Sequence, residues 1–389
     1  MSAPRVAVVG IHGHGASHLR TLAELGSRGM ARLTAVVDPR EPADADVPWF
    51  ATLGDLLSAG PEALPDVVVL ATPIHTHLPL ARAAMEAGID VLLEKPTAAS
   101  LAEHDELVAV AERTGRLCQV GFQTFGSHAL PAVADMVARG EIGQVTGIGA
   151  VGTWVRTAAY WSRSPWAGRR RLGDRAVVDG VVTNPLAHAV ASALWVGGAR
   201  AATDVASVHT DLWRANPIEA DDTSSLRVVG TGGTRYGFGL TLCAPRRTPA
   251  RVIVQGTDGE IELEYEHDLV RLRAGRVTAE KRYGRTGLLE NLLRAHTGEP
   301  LLCDVRDTGA FMRVLDAVRA APDPAPVADA FVDQVDEGAA AAGPGNPAGD
   351  TRHPVVRDVA AWCERAAREQ RTFTELGAPW TLAAPPREA

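Results

Sequence analysis

Along its first third the chain alternates short, wholly apolar runs with amphipathic stretches. Residues 5–10 read as a buried strand ending in Gly10, followed by a helical stretch over 16–26. Further strands are predicted at 33–38, 66–71, 90–94 and 117–121, with helices at 77–87 and from about Ser100 to Arg113. Ser100 is placed to cap the last helix and Gly115 to end it, because a short hydroxyl side chain satisfies orphan amides and Gly accepts positive φ. Apolar strands alternating with helices imply a parallel sheet covered on both faces.

After Gln123 the period changes. A helix at 130–139 precedes strand-like segments at 145–154, 203–213, 224–229, 235–242, 251–255 and 260–265, separated by Gly-rich turns. This pattern predicts an α+β domain around a large, mostly antiparallel sheet. Helices return at 287–297 and 304–320. Residues 322–354 are rich in Ala, Pro and Gly, and 338–350 has no periodicity, so a flexible linker with a mobile loop is expected there. Val356, Val359, Ala360, Cys363, Ala366 and Ala367 then mark one face of a final helix. The predicted fold is α/β. An N-terminal dinucleotide-binding domain (1–123) is followed by an α+β domain (124–321), the linker (322–354), and a C-terminal helix and tail (355–389).

Composition narrows the function classes. The 389 residues carry a net charge of −8, which repels a phosphate backbone and argues against nucleic acid as partner. No apolar window is long enough to span a membrane, and the first residues do not read as a secretory signal. The four scattered cysteines form no metal or disulfide pattern, so a cytoplasmic setting is expected. Lys and Arg together number 39, yet lysine occurs only at 95 and 281. A chain that otherwise uses Arg keeps Lys where a compact ammonium or a shiftable pKa is needed, and Lys95 sits at a predicted strand end.

The turn from Gly10 to Gly15 carries the first candidate chemistry. In a dinucleotide fold the first Gly makes the turn, the second admits the pyrophosphate and the third lets helix pack on strand. Gly10 and Gly15 match the outer places. His12 occupies the middle one, with Gly13 beside it to shift the close approach, or with the imidazole itself as a phosphate donor. A metal site from His12, His14 and His18 lacks a nearby acid or Cys to complete it, so no metal is expected. Asp38 ends the second strand, where an acid accepts from the adenosine ribose and favours NAD over NADP; capping a turn before Pro39 is the alternative, and nearby Arg40 keeps NADP open.

Gly10…Gly15…His18, then 71–77 with Thr72, Pro73 and His77, then Glu94-Lys95-Pro96, resembles the glucose–fructose oxidoreductase/inositol dehydrogenase/rhizopine-catabolism (Gfo/Idh/MocA) family over roughly residues 4–320. The resemblance implies nicotinamide redox chemistry on sugars, sugar acids or cyclitols. It also implies a second-domain sheet whose open face makes oligomer contacts, hence a homo-dimer or homo-tetramer. It places Gly10, His12, Gly13, Gly15, Asp38, Thr72, Pro73, His77, Glu94 and Lys95 around the cofactor. The family's DxxxH signature maps onto 179–188: His188 matches the catalytic His, Asn184 stands where its Asp is expected, and Asp179 replaces the first of a Gly pair. The implied mechanism is hydride transfer with His188 as general base, Lys95 stabilising the developing oxyanion and Asn184 orienting the ring or the substrate. Asn184 followed by Pro185 also reads as an N-cap pair opening a helix at 186–195. Arg156, Tyr160, Trp161, Arg163 and Asp179 are candidate substrate contacts, and Arg169–Arg171 reads as a solvated run. Two other activities fit the same residues: a redox-neutral enzyme that retains NAD, and a non-catalytic sugar sensor.

Overall fold

The structure is a computed structural model that describes residues 3–43, 46–336 and 345–382. Two compact units divide the chain: Met1–Gly126 with Thr286–Met312, and Ser127–Arg285 with Arg313–Ala389. Residues 286–312, expected in the second domain, thus belong to the first unit. Buried Gln119 holds them there: its side chain donates to Asn291 Oδ1 (3.0 Å) and accepts from the Cys303 amide (3.0 Å).

The first unit is built on β1 (Arg5–Val9), α1 (Gly15–Ser27), β2 (Arg32–Val37), β3 (Trp49–Phe50), α2 (Leu53–Ser58), β4 (Val67–Leu70), α3 (His77–Glu86), β5 (Asp90–Leu93), α4 (Leu101–Thr114) and β6 (Cys118–Val120). Its six strands run in the order β3-β2-β1-β4-β5-β6, every pair parallel. Val67 to Leu70 are fully buried, as expected of a strand covered on both faces. The strand order reverses between β1 and β4, and ligands of open α/β sheets bind at the carboxyl ends beside such a switch point. Ser100 caps α4 by accepting from the Glu103 amide, and Gly115 ends it at φ +64°.

The second unit contains α5 (Ala129–Ala138), β7 (Val145–Thr153), α6 (Ala158–Trp161), a short hairpin of β8 (Arg171–Leu172) and β9 (Arg175–Ala176), and α7 (Ala187–Val196). It continues with β10 (Val205–Arg214), β11 (Thr223–Gly230), β12 (Arg235–Thr241), β13 (Arg251–Gly256), β14 (Gly259–Glu264), β15 (Leu269–Ala274) and β16 (Val277–Arg282). Helix α8 (Leu288–Ala295) returns to the first unit, and α9 (Gly309–Ala320) crosses between the two stretches of chain. Then follow β17 (Ala325–Pro326), β18 (Val332–Asp336), β19 (Arg352–Val356) and α10 (Val359–Glu369). Nine strands form one sheet, β16-β15-β14-β13-β7-β12-β11-β10-β17. Only β7–β12 and β10–β17 pair in parallel, which agrees with the expected mostly antiparallel sheet.

The sheet is covered on both sides of its central strands. Side chains alternate between faces along a strand, and Gly152 faces Leu186 at the entry to α7. The opposite face carries Gly149 on β7 and Gly237 and Gly239 on β12. A Cβ on any of these would lie 2.6, 2.4 or 2.1 Å from a carbonyl oxygen of α10. The resemblance implied an open face for oligomer contacts; over β7 and β12 it is instead occupied by α10. Val359, Cys363, Ala366 and Ala367 bury there with Val151, Trp213 and Trp380. Ala360 is exposed and Val356 lies in β19, so the predicted apolar face shortens by those two positions.

The stretch expected as a linker is largely ordered. β18 and β19 pair antiparallel over Val332–Asp336 and Arg352–Val356, within surroundings whose Ala/Pro-rich composition reads as linker. The expected mobile loop lies outside the described residues at 337–344. Its remaining residues dock: Asn346 accepts from the Thr157 amide and donates to Val155 O (both 3.3 Å), and Asp350 O accepts from the Ala159 amide (3.0 Å). Among the described residues no helix is long and apolar enough to cross a membrane.

Candidate functional site

In the first unit the three glycines of the turn serve three purposes. Gly10 has φ +80°, and a Cβ there would lie 2.5 Å from Ala71 O. At Gly15 a Cβ would lie 1.8 Å from Gly10 O, so only glycine lets α1 start directly against the strand end. Gly13 has φ +57° with open space where its Cβ would point. This is the cradle a dinucleotide pyrophosphate needs: positive-φ backbone, free approach and a helix N-terminus behind it. The His12 ring is half exposed, 3.7 Å from Asp38 Oδ1, so its side chain turns toward the second strand rather than filling the turn.

Asp38 is buried at the end of β2. Its carboxylate accepts from the Ile11 amide (3.2 Å) and the Arg40 amide (3.0 Å). Asp38 therefore ties the Gly-rich turn to the neighbouring strand and also forms the local turn that was the alternative reading.

Across the switch point, Thr72 accepts from the Thr76 hydroxyl (2.7 Å), and Pro73 opens a single 3-10 turn. His77, expected among the cofactor contacts, is 1 % exposed. Its ring nitrogens lie 2.9 Å from Thr72 O and 2.9 Å from Pro96 O, so it clamps the loops after β4 and β5 together. Burial pushes its pKa down against those hydrogen bonds.

Glu94 is the buried centre of the next loop. Oε1 lies 2.8 Å from His18 Nε2 and 3.2 Å from His14 Nε2, and Oε2 accepts from the Lys95 amide (3.2 Å). Gly121 makes room for it, since a Cβ there would stand 2.9 Å from the carboxyl group. Burial alone would raise the Glu94 pKa. The hydrogen bonds from His14 and His18 outweigh it and hold the carboxyl far below the usual range, so Glu94 is ionised. His14 shifts upward, chiefly through its hydrogen bond to Glu94, against burial and the charge of Lys95. The sequence reading found no acid to complete a histidine cluster here. Glu94 is that acid, 76 residues from His18 in sequence and invisible to local spacing. Half-buried Lys95 follows directly, joined to Pro96 by a cis peptide.

In the second unit β7 runs into a segment of stacked arginines and aromatic rings. The Arg156 guanidinium, 5 % exposed, lies over Trp154 (5.0 Å) and Tyr160 (4.9 Å). Burial lowers its pKa, partly offset by Tyr160. Arg163 lies over Tyr160 (3.8 Å) and Trp166 (4.7 Å), and Trp161 meets Tyr160 edge-on. Arg163 also pairs with Asp179 (2.7 Å). Asp179 is a hub: Oδ2 accepts from Arg163 and from the Gly168 amide (2.8 Å), while Oδ1 accepts from Asn184 Nδ2 (2.5 Å). Val178 just before it has φ +49°, a strained conformation for a β-branched residue, of the kind that clusters at functional sites.

Asn184 is not a helix cap. Helix α7 begins at Ala187 with Leu186 at the N-cap and no side-chain cap bond, so Asn184 and His188 do not share a helical face as the spacing predicted. Asn184 sits in the preceding turn, bonded to Asp179. His188 is half-buried on a helix whose neighbours from Ala189 to Leu194 are all buried. Of the arginine run, Arg169 pairs with Glu219 in solvent. Arg170 departs from the expected solvated role: its Nη2 donates to Val318 O, Arg319 O and Ala321 O, capping the C-terminal end of α9.

Two family models match the chain. Residues 4–122 match the oxidoreductase family with an NAD-binding Rossmann fold, and residues 131–262 match the GFO/IDH/MocA C-terminal domain. Inositol 2-dehydrogenase 1 of Saccharopolyspora erythraea is 41% identical over 127 residues, 30% of this chain and 36% of that protein. Inositol 2-dehydrogenase of Rhodococcus jostii is 34% identical over 147 residues, 36% of this chain and 39% of that protein. The chain thus aligns with well under half the length of these curated relatives. The WlbA dehydrogenase of Bordetella pertussis, solved with NADH and UDP-GlcNAcA, superposes with a TM-score of 0.66 at 21% identity, covering 81% of this chain and 95% of that one. An oxidoreductase domain protein from Kribbella flavida gives 0.67 at 21%, covering 82% and 96%. At that identity the likeness establishes the fold, and the two sequence-family matches establish the lineage: the chain belongs to the GFO/IDH/MocA oxidoreductase family.

Proposed function

We propose that the protein is an NAD-dependent oxidoreductase that transfers a hydride between nicotinamide and a carbinol carbon of a sugar, sugar acid or cyclitol. The observation that carries this reading is the cradle at the switch point, where Gly10, Gly13 and Gly15 clear the backbone and Asp38 fixes the turn against β2. Bound there, NAD supplies the hydride acceptor at nicotinamide C4. Asp38 keeps a buried negative charge at the end of β2, which disfavours a 2′-phosphate, so NAD binds more tightly than NADP.

His188, half-buried at the start of α7, takes the hydroxyl proton as general base. Lys95 donates to the developing alkoxide, where a compact ammonium stabilises charge better than a planar guanidinium. Asp179 acts through others: it orients Asn184 and Arg163. The aromatic and arginine faces of Tyr160, Trp161, Arg156 and Arg163 suit a ring bearing hydroxyls or a carboxylate. Cys118, Cys243, Cys303 and Cys363 are all buried free thiols, which fits a reducing cytoplasm.

The test is a panel of sugars, sugar acids and inositols with NAD and with NADP, read as reduced nicotinamide. Turnover with NAD on at least one polyol is expected. Substrate conversion with no net change in nicotinamide would instead assign the redox-neutral chemistry, and absence of any turnover would sink the enzymatic reading.

A further inference from the structure

We propose that His14, His18 and Glu94 form a binding site for one borderline divalent cation of the zinc or cobalt class. Their ligand atoms lie within 4.8 Å of one another. The Glu94 oxygen stands 3.2 Å from His14 Nε2 and 2.8 Å from His18 Nε2. Ligands held about 2.0–2.1 Å from a tetrahedral zinc ion are spaced about 3.3 Å apart, so the two carboxylate–imidazole pairs need to widen by about half an ångström or less to admit the ion.

The backbone prepares this arrangement. His14 has helical dihedrals (φ −68°, ψ −30°) at the N-cap of α1, so the helical register reaches back through it. His14 and His18 therefore present one helical face, the i, i+4 spacing at which two imidazoles meet a single ion. Glu94 approaches from the end of β5, fixed behind by the Lys95 amide on its other oxygen and given its room by Gly121. Supporting contacts of this kind hold a ligating carboxylate in place.

Two imidazoles and one carboxylate select borderline metals over magnesium or calcium, which take oxygen sets. Burial divides the ligands unequally. His18 and Glu94 are closed off at 8% and 10% side-chain exposure, whereas His14 is 58% exposed. The ion would thus keep an open position on the His14 side, the mark of an exchangeable site rather than a closed structural one. In the metal-free form, imidazole protons take the ion's place between the same atoms. His12, turned to Asp38, is outside the set.

The site shares Glu94 with the residues that the family resemblance places around the cofactor, and Co2+ binding is read without substrate or turnover, so the two readings fail separately. The experiment uses the full chain, free of any affinity tag, stripped with a chelator and titrated with Co2+ in a non-coordinating buffer. One Co2+ per chain is expected, with visible d–d absorption. His14→Ala should weaken binding at least tenfold, and His14→Gln, which preserves a hydrogen bond to Glu94, should weaken it similarly. His267→Ala, an exposed histidine elsewhere, should bind as the parent does. Circular dichroism of each variant separates loss of the site from loss of the fold. A parent chain with no saturable equimolar binding, or a folded His14→Gln that binds Co2+ as tightly as the parent, would overturn the site. NAD titration of the same variants in their metal-free form reads whether the cofactor cradle survives each substitution.

Discussion

The Gly-rich turn of the first unit and the strands under α10 in the second use glycine for one physical task, the approach of backbone to backbone. A Cβ at Gly15 would lie 1.8 Å from Gly10 O, and one at Gly239 would lie 2.1 Å from Cys363 O. In the turn the two partners are five residues apart, and the clearance lets α1 start directly against the strand end. Under α10 they are 124 residues apart, and the clearance lets a C-terminal helix close a sheet. Alternating glycines in a strand therefore announce that something will come close without saying what. Here the occupant is the chain itself, so any self-association of the protein uses a surface other than the one α10 covers.

Replacing either glycine tests whether the two tasks are separate. Gly15→Ala should have the largest effect. The added methyl cannot fit, α1 must shift, and NAD affinity should fall on the order of a hundredfold or more, near 3 kcal/mol, in a fluorescence titration. Gly239→Ala should cost about 2–3 kcal/mol of unfolding free energy in a denaturant titration, through overpacking against α10. NAD affinity should stay at the parent value. A loss of NAD binding in Gly239→Ala as large as in Gly15→Ala would erase the distinction.

Lys95→Arg sharpens the comparison on the chemical side of the first unit. Arginine is the default cation of this chain, and a variant that keeps the charge isolates the need for a compact donor. A drop in kcat of roughly a hundredfold, with NAD affinity within about twofold, is expected from losing a donor at a developing oxyanion. Near-parent kcat would remove the case for a special lysine.

What could be read from the sequence divides along the same line. Five of the six strands of the first sheet, the glycine turn and the cap of α4 are local patterns, and they appear where periodicity and capping put them; β3, two residues long, carries no period to read. The His14–His18–Glu94 cluster was not legible because its acid arrives from another strand. The role of Arg170 was missed because the carbonyls it caps lie about 150 residues on. The β18–β19 hairpin was hidden in a composition that reads as linker. Asn184-Pro185 was misread for a different reason. The pair is a good local opening for a helix, but the buried carboxylate of Asp179 competes for the Asn184 amide, and the helix starts later.

That competition sets the smallest expected effect, in the variant Asn184→Asp. Were Asn184 simply an uncharged version of an acid facing His188, the substitution would raise the His188 pKa and move the acidic limb of kcat/KM to higher pH, on the order of one unit. Its contact with Asp179 predicts otherwise. A carboxyl at 184 would stand at hydrogen-bond distance from a carboxylate already matched by Arg163. Two such groups cannot both ionise cheaply, so one holds a proton and its folded-state pKa rises. The sign follows from that rise. The variant resembles the parent in stability below the unfolded carboxyl pKa of about 4 and loses stability as pH climbs from there toward the raised folded value, by about 1–2 kcal/mol in all. The new carboxyl lies on the Asp179 side of the turn, so little of its charge reaches His188, and the acidic limb should move by less than about half a unit. The measurement is a pair of curves, unfolding free energy and kcat/KM, each against pH for the parent and Asn184→Asp, with His188→Ala as the control that lacks the limb. A full-unit shift of the limb with no loss of stability would mean that the new acid faces His188 and not Asp179.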